Sequence, residues 1–278
     1  MIDIIIPIYN ASSYLDRLFD SIKKQTYKDY CIYLIDANST EEYDLDKYDL
    51  NITYVKLDEQ TCPGLTRQVG IDKSTHEYLM FIDQDDELML DDSLQILIDN
   101  IDGYDIVACG EYFEKEQREM INDISLHGKL FRRSFLKDNN IRFNDFIYHE
   151  DLFFNNYCYL KKAKIKNVNK VIYYYHDNPS SIVNQTEDIE IEKMEYIVKS
   201  ISELKRIVPI KDNVLEYRKF IYNNYDYFIK IFNILSEREK DIFASYIYKY
   251  DREDVPLMLS RTNIELQEKI NEMYKEDI

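Results

Sequence analysis

The sequence predicts an α/β domain, a mostly parallel sheet flanked by helices, followed by a helical C-terminal appendage. Three observations carry this. Over the first hundred or so residues, short apolar runs alternate with stretches whose apolar residues share one helical face, the pattern of strands joined by crossover helices. The runs are continuous, as in strands buried on both faces. From residue 189 onward the periodicity is helical, with no strand-like run.

Ile4, Ile5 and Ile6 form the first run, stopped by Pro7. Ser12 or Ser13 stands where a cap is needed for a helix with Leu15, Leu18, Phe19 and Ile22 on one face. Residues 30–35 and 52–57 read as the second and third strands, and 65–71 as a short helix. A fourth strand, 78–82, runs straight into Asp83-Gln84-Asp85-Asp86. A helix with Leu94, Leu97, Ile98 and Ile101 on one side follows, then a short strand at 105–109. In the middle third, 129–135 is amphipathic and basic, and 171–175 reads as a strand. Residues 150–160 suit a helix that opens on two acids, which favour its positive end. Further helices are expected around Ile197, Ile201 and Leu204, then at 220–235, 242–250 and 264–274. The chain accordingly divides into 1–100, 101–188 and 189–278.

Ligands of open parallel sheets bind beyond the carboxyl ends of the strands. Tyr9-Asn10, Asp36-Ala37-Asn38-Ser39 and Asp83-Gln84-Asp85-Asp86 each sit at such an end, so three polar segments are expected to meet in one crevice.

Composition narrows the function classes. The 53 acidic and 35 basic residues leave a net charge of -18, which argues against broad nucleic-acid binding and against anionic lipid surfaces. An anionic substrate stays open, because local Arg, Lys or a metal can offset the field. Mean hydropathy is -0.49, and no apolar run nears the roughly 18 residues of a membrane span. The opening MIDIIIPIYN reaches proline and polar residues too early for a signal peptide, so a cytoplasmic location is expected. Cys31, Cys62, Cys109 and Cys158 form no CxxC pair, which argues against a disulfide framework and against a structural zinc motif. Among the 26 tyrosines many cluster late, as at Tyr173, Tyr174 and Tyr175 and at Tyr222, Tyr225 and Tyr227. They suit packing between helices, or an interface that buries the ring and leaves the hydroxyl wet, with sugar stacking as the alternative.

Asp83 and Asp85, two apart beyond a strand, project to one side. Such carboxylates repel unless a cation or a buried proton relieves them. A hard divalent ion shared with a substrate diphosphate is one solution. An acidic loop leading to Asp91 or Asp92 as a helix cap is the other. A calcium loop fails, because the Gly needed at its sixth position is Leu88.

Five segments occur in order: Pro7-Ile8-Tyr9-Asn10, IKKQTY at 22–27, Ile35-Asp36-Ala37-Asn38-Ser39, GLTRQVGI at 64–71, and EYLMFIDQDD at 77–86. The series resembles the family 2 glycosyltransferases of the GT-A fold, closely over 2–95 and more loosely to about 182. The resemblance implies inverting transfer of a sugar from a nucleotide donor, a UDP-sugar, assisted by Mn²⁺ or Mg²⁺. It puts Pro7 and Tyr9 beside the base, Asp36 on the base or ribose, Arg67 at the diphosphate and Asp83 facing the ribose or donor sugar. Asp85 becomes the metal ligand. A departing nucleoside diphosphate develops negative charge, which a metal and a guanidinium stabilise. Ala37 stands where the family often has a second acid. Thr66 and Gln68 flank Arg67 in place of the commoner Ala and Asn, and Pro63-Gly64 alters the turn before them. These departures bear on donor identity.

His149-Glu150-Asp151 resembles the family's Glu-Asp pair, which makes Asp151 the general base and gives Glu150 the task of orienting it or binding acceptor. The residues alone also read as acids at a helix start. Tyr175-His176-Asp177-Asn178 with Ser180-Ser181-Ile182 resembles a loop that closes over the donor. There His176, where Arg is commoner, is implied at the diphosphate or metal, against a structural histidine. Lys129 falls in a segment near the acceptor side, against a solvated basic helix end.

The expected activity is transfer to a hydroxyl of a surface polysaccharide, a teichoic-acid-like polymer, or a lipid-linked or protein-linked glycan. The helical appendage is expected to bind acceptor, form a homo-oligomer or touch a membrane periphery. Two rivals are a non-catalytic nucleotide-sugar-binding scaffold of the same fold and a nucleotidyltransferase. The latter calls for a Gly-rich basic phosphate loop near the first strand, which Asn10-Ala11-Ser12-Ser13 does not offer.

Overall fold

The structure is a computed structural model that describes residues 1–121, 125–179, 181, 189–208, 232–233, 235–251, 265–266, 268–269 and 271–272. In chain order come β1 (Ile2–Ile8), α1 (Leu15–Lys23), β2 (Tyr30–Asp36), β3 (Ile52–Lys56), α2 (Pro63–Lys73), β4 (Tyr78–Phe81), β5 (Glu87–Leu88) and α3 (Ser93–Asn100). Then follow β6 (Ile106–Phe113), β7 (Arg118–Ile121), β8 (Lys129–Arg132), α4 (Arg133–Asp138), α5 (Glu150–Leu160) and β9 (Ile165–Tyr175). Two helices complete the described elements, α6 (Ile189–Ile207) and α7 (Glu237–Asp251). The chain forms two compact units, one of Met1–Cys158 with Lys162–Ser181 and one of Tyr159–Lys161 with Ile182–Ile278.

In the first unit the strands run β3-β2-β1-β4-β8-β6-β9-β5, with β7 paired to β6. The first four are mutually parallel, as expected. Beyond β4 the sheet becomes mixed: β8 is antiparallel to β4 and β6, and β5 to β9, while β6 and β9 are parallel. β1 lies between β2 and β4 and is buried on both faces, with Ile2, Ile4, Ile5 and Ile6 fully inaccessible.

β1 does not stop at Pro7. Ile5 O accepts the Ile82 N–H on the β4 side, and Ile8 O accepts the Ala37 N–H on the β2 side. This alternation points Pro7's missing N–H toward β4, where strand pairing has already ended at Phe81. The proline therefore costs no ladder bond.

Helix α1 buries the expected Leu15, Leu18, Phe19 and Ile22. Neither serine caps it. Tyr14 takes the cap position, and Ser12 turns its N–H and hydroxyl to Glu41. Gln25, from the QTY string, is a buried clamp. It donates to Ser21 O at 3.1 Å and Leu90 O at 2.7 Å and accepts the Leu94 N–H at 3.0 Å. It thereby satisfies an N–H of the first turn of α3, which no intrahelical acceptor can reach. Helix α2 lies directly on β1: a Cβ at Gly70 would run into Ile5 Cγ2.

The segment 129–135 is not one amphipathic helix. Lys129–Arg132 is the strand β8, wedged between β4 and β6, and helix begins only at Arg133. Tyr173, Tyr174 and Tyr175 lie on a strand, β9, rather than between helices. All four cysteines are free, and Cys109 and Cys158 are buried.

In the second unit, α6 and α7 pack on each other. Their buried residues include Met194, Ile197, Val198, Ile201 and Leu204 on α6, and Phe243, Ala244 and Ile247 on α7. Tyr250 donates to Glu195 across the pair at 2.6 Å. Tyr222, Tyr225, Tyr227, Ser180 and Ile182 lie outside the described residues, as does most of the expected helices 220–235 and 264–274. Among the described residues no helix is long and apolar enough to cross a membrane.

Candidate active site

The three polar segments do meet. The N–H of Tyr9 donates to Gln84 Oε1 at 2.7 Å, and that of Asn10 to Ser39 Oγ at 2.8 Å. Asn10 Oδ1 in return accepts the Thr40 N–H at 3.0 Å. Asn10 and Asn38 hold positive φ angles of 48° and 68°, a conformation that asparagine tolerates better than most residues. Asp36 is fully buried. Its Oδ1 accepts the N–H and hydroxyl of Ser39 at 2.7 and 2.6 Å, and its Oδ2 the Tyr54 hydroxyl at 2.5 Å. Ile8, the last residue of β1, pairs with Asp36, Pro7 pairs with Ile35, and Tyr9 is exposed.

Beyond β4 the acids separate into distinct environments. Asp83 is held through both oxygens, by Arg67 Nη2 at 2.6 Å and His127 Nε2 at 3.0 Å. Burial alone would raise its pKa, but Arg67 and His127 outweigh burial and hold the carboxyl well below the usual range. Asp86 is buried, and burial pushes it well above that range. It accepts the Tyr173 hydroxyl at 2.8 Å and the His176 N–H at 2.9 Å. Asp85 accepts Asn178 Nδ2 at 2.6 Å, and Arg17 donates to its backbone carbonyl. Burial raises Asp85, the Asn178 bond opposes this, and Asp83 adds to it.

Arg67 is only 4% exposed. Its other terminal nitrogen, Nη1, donates to Glu150 Oε1 at 2.6 Å. One guanidinium thus joins the end of β4 to the start of α5, and both its ends are turned to protein carboxylates. Gly64 permits the close approach of α2, since a Cβ there would lie 3.1 Å from Glu150 Cβ. Burial pushes Glu150 up to about 7, with Arg67 opposing and Asp151 reinforcing. Asp151 Oδ1 accepts the Leu152 N–H at 2.7 Å. The preceding His149 has φ 59°, a left-handed backbone that stores strain at the start of α5.

Burial raises the phenol of Tyr175 first, and the charges of Asp86, Asp83, Asp85 and Asp151 raise it further. His127 stacks on Tyr173 with centroids 4.6 Å apart and planes 7° apart. Its Nδ1 lies 3.4 Å from Glu111 Oε2, an ion-pair distance. Burial favours the neutral ring, yet Asp83 and Glu111 raise His127 well above its ordinary pKa.

Two expected residues stand apart from this cluster. The ring of His176 lies between Glu87 Oε1 at 3.0 Å and Glu114 Oε2 at 3.3 Å, and only its backbone N–H reaches the aspartates. Lys129 is buried on β8, not solvated on a helix, and donates to Ser125 O. Asn155 Nδ2 shares that carbonyl at 3.0 Å and also donates to Asp151 O at 3.1 Å.

Sequence reasoning missed His127, Glu111 and the inward Tyr173. Two weak signals existed: an acid inside the apolar run IVACGEYF, and one of only four histidines in the chain.

The donor set bears on a metal. Asp83, Asp86 and His127 bring one ligand atom each within 4.8 Å of one another. Asp85 is outside that group, and among the described residues no ion pair reaches its side chain. Two carboxylates and one imidazole make an oxygen-rich set, which suits a hard divalent ion.

The family profile of glycosyl transferase family 2 matches residues 3–161, more than half of the chain. The chain belongs to glycosyltransferase family 2. A relative, glycosyltransferase GlyA of Streptococcus pneumoniae, is 26% identical over 222 residues, which cover 65% of this chain and 31% of the relative. The poly(ribitol-phosphate) β-N-acetylglucosaminyltransferase TarS of Staphylococcus aureus is 25% identical over 198 residues, 62% of this chain and 35% of that protein. This family member thus spans about a third of the length of either relative. The solved structure of TarS 1–349 with UDP-GlcNAc superposes with a TM-score of 0.69 at 20% identity, covering 99% of this chain and 92% of that one. The mannosyltransferase PcManGT of Pyrobaculum calidifontis, solved with GDP-Man and Mn²⁺, gives 0.61 at 14% identity over 97% and 84%. The fold is that of the GT-A glycosyltransferases.

Proposed function

We propose that this family 2 glycosyltransferase moves a sugar from a UDP-sugar to a hydroxyl of a polymer acceptor, with inversion at the anomeric carbon. The observation that carries the proposal is the Arg67 guanidinium that joins Asp83, beyond β4, to Glu150 at the start of α5, beside the stitched loops that end β1 and β2. TarS, whose structures hold UDP and UDP-GlcNAc, supports the donor class, and its poly(ribitol-phosphate) acceptor supports a polyol or glycan polymer.

Residues 1–100 supply the donor side. Pro7, Tyr9 and Asp36 border the base and ribose, and Asp83 faces the ribose or sugar. Asp85 would hold Mn²⁺ or Mg²⁺, which when bound supplies positive charge to the leaving diphosphate. Arg67, expected at the diphosphate, acts through Asp83 and Glu150, because both ends of its guanidinium are engaged there. Residues 101–188 supply the base. Asp151 takes the proton of the acceptor hydroxyl as that oxygen bonds the anomeric carbon. The bond from that carbon to the diphosphate oxygen breaks, and its electron pair leaves with UDP. Glu150 keeps Arg67 in place, and Lys129 and His176 brace the loops beside the site. The helices from 189 serve acceptor binding or assembly.

The test is turnover with a panel of UDP-sugars, together with calorimetry of UDP binding. Asp151→Asn is expected to lower turnover by at least ~10²-fold, as for loss of a general base, with UDP affinity unchanged. Normal turnover in that variant sinks the assignment of the base. A product that retains the donor's anomeric configuration sinks the inverting step.

A further inference from the structure

At the amino ends of the parallel strands, opposite the donor crevice, a second group of side chains converges. Asp3 is fully buried in a strand otherwise made of isoleucine and one proline. A buried carboxylate is costly unless its oxygens are satisfied. Its Oδ2 accepts the N–H groups of Thr75 and His76 at 2.9 and 2.8 Å. Its Oδ1 meets the His76 ring, with Nδ1 at 2.6 Å. Cys31 is the direct neighbour of Asp3 in the β1–β2 register. Its Sγ accepts Asn51 Nδ2 at 3.1 Å. Asp3, Cys31 and His76 each offer one ligand atom, all within 4.8 Å of one another.

We infer that Asp3, Cys31 and His76 form a binding site for one thiophilic divalent cation of the Zn²⁺ class, separate from the donor site. The donor atoms are one oxygen, one nitrogen and one sulfur, the three types that zinc accepts, and three protein ligands leave a fourth position for water. The softness of the thiolate separates this site from the all-oxygen preference of Mg²⁺. The two backbone bonds to Oδ2 fix the carboxylate and leave Oδ1 aimed at the imidazole, the outer-shell support that ligands require. The His76 side chain is 32% exposed, which gives the ion a route from solvent. The bound ion links β1, β2 and the turn that leads into β4. Sequence spacing hides the set, because strand pairing brings together residues far apart in the chain.

The test uses the full chain, stripped with chelator and titrated with Co²⁺ and Zn²⁺. Co²⁺ is expected to give a thiolate-to-metal charge-transfer band. Zn²⁺ is expected to bleach it at one equivalent and to raise Tm by several degrees. The band is expected to persist in Asp85→Asn and to vanish in Cys31→Ser, while His76→Gln weakens Zn²⁺ affinity at least tenfold. Absence of a charge-transfer band in the parent protein, or its survival in Cys31→Ser, overturns the site. The parent spectrum decides the matter even where a variant fails to fold.

Discussion

Two aspartate–histidine pairs sit at opposite ends of the same sheet. At the carboxyl end Asp83 meets His127 at 3.0 Å, and at the amino end Asp3 meets His76 at 2.6 Å. Their settings differ. Asp3 is shared between two backbone N–H groups and one imidazole, and among the described residues no second carboxylate is hydrogen-bonded into the set. Asp83 draws on Arg67 and His127, which are themselves claimed by Glu150 and Glu111, while Asp85 and Asp86 crowd alongside. What distinguishes the two ends is the negative charge left over once local donors are counted. The amino end presents one carboxylate beside one imidazole and one thiol, whereas the carboxyl end sets several carboxylates against Arg67 and His127, as suits a harder cation.

That contrast breaks most readily at Arg67. Arg67→Met removes the one group shared by Asp83 and Glu150 and leaves buried charge without compensation, which costs about 3–5 kcal/mol. His76→Ala, measured in chelator, removes a partly exposed partner from a carboxylate still held by two backbone donors, and is expected to cost about 1 kcal/mol. Urea unfolding of both variants makes the comparison. Equal losses would mean that the two ends are electrostatically alike.

Asp85 sharpens the same contrast through binding. Asp85→Asn relieves a carboxylate that burial and Asp83 disfavour, so stability should shift by less than about 0.5 kcal/mol. UDP affinity in Mn²⁺ should fall at least tenfold, to the value measured in chelator. A variant that keeps its Mn²⁺-dependent gain in UDP affinity would move the ligand role to Asp83, Asp86 and His127, whose atoms already converge.

The parallel half of the sheet and its three strand-end loops were legible because each is a local string, an apolar run ending in turn-forming polar residues. The other half of the site was not. Glu111, His127 and Tyr173 come from β6, the stretch before β8, and β9, and the mixed pairing that unites them leaves no mark in residue spacing. The string KLFRRSF fits period 2 and period 3.6 equally over so few residues, so the strand within it read as helix. The tyrosine triplet was misread for the opposite reason. On a strand its members alternate in direction, which sends Tyr173 and Tyr175 toward the aspartates and Tyr174 toward Glu114. Gln25 is a further case: the motif string was recognised, but its physical task, satisfying α3's first turn, needed the fold.

The contrast also has a pH dependence, which Glu150 imparts. Burial, with Asp151 adding, raises this carboxyl from 4.5 to about 7 in the folded chain, against the pull of Arg67. Between those values the folded state holds a proton that the unfolded state has released. Stability therefore declines as pH rises through this window and levels off above it. Glu150→Gln keeps a hydrogen-bond acceptor for Arg67 but cannot ionise, so it lacks this decline. Asp86 and His127 titrate in both proteins, and the difference between the two curves isolates position 150. Urea unfolding from pH 5 to 8 should find the variant gaining on the parent as pH rises toward 7, then running parallel to it. Curves that run parallel over the whole range would mean that Arg67 outweighs burial and keeps Glu150 ionised, because its titration would then fall below that range. The carboxyl end would then be closer to charge balance than its crowd of acids implies, and the contrast with the amino end would narrow.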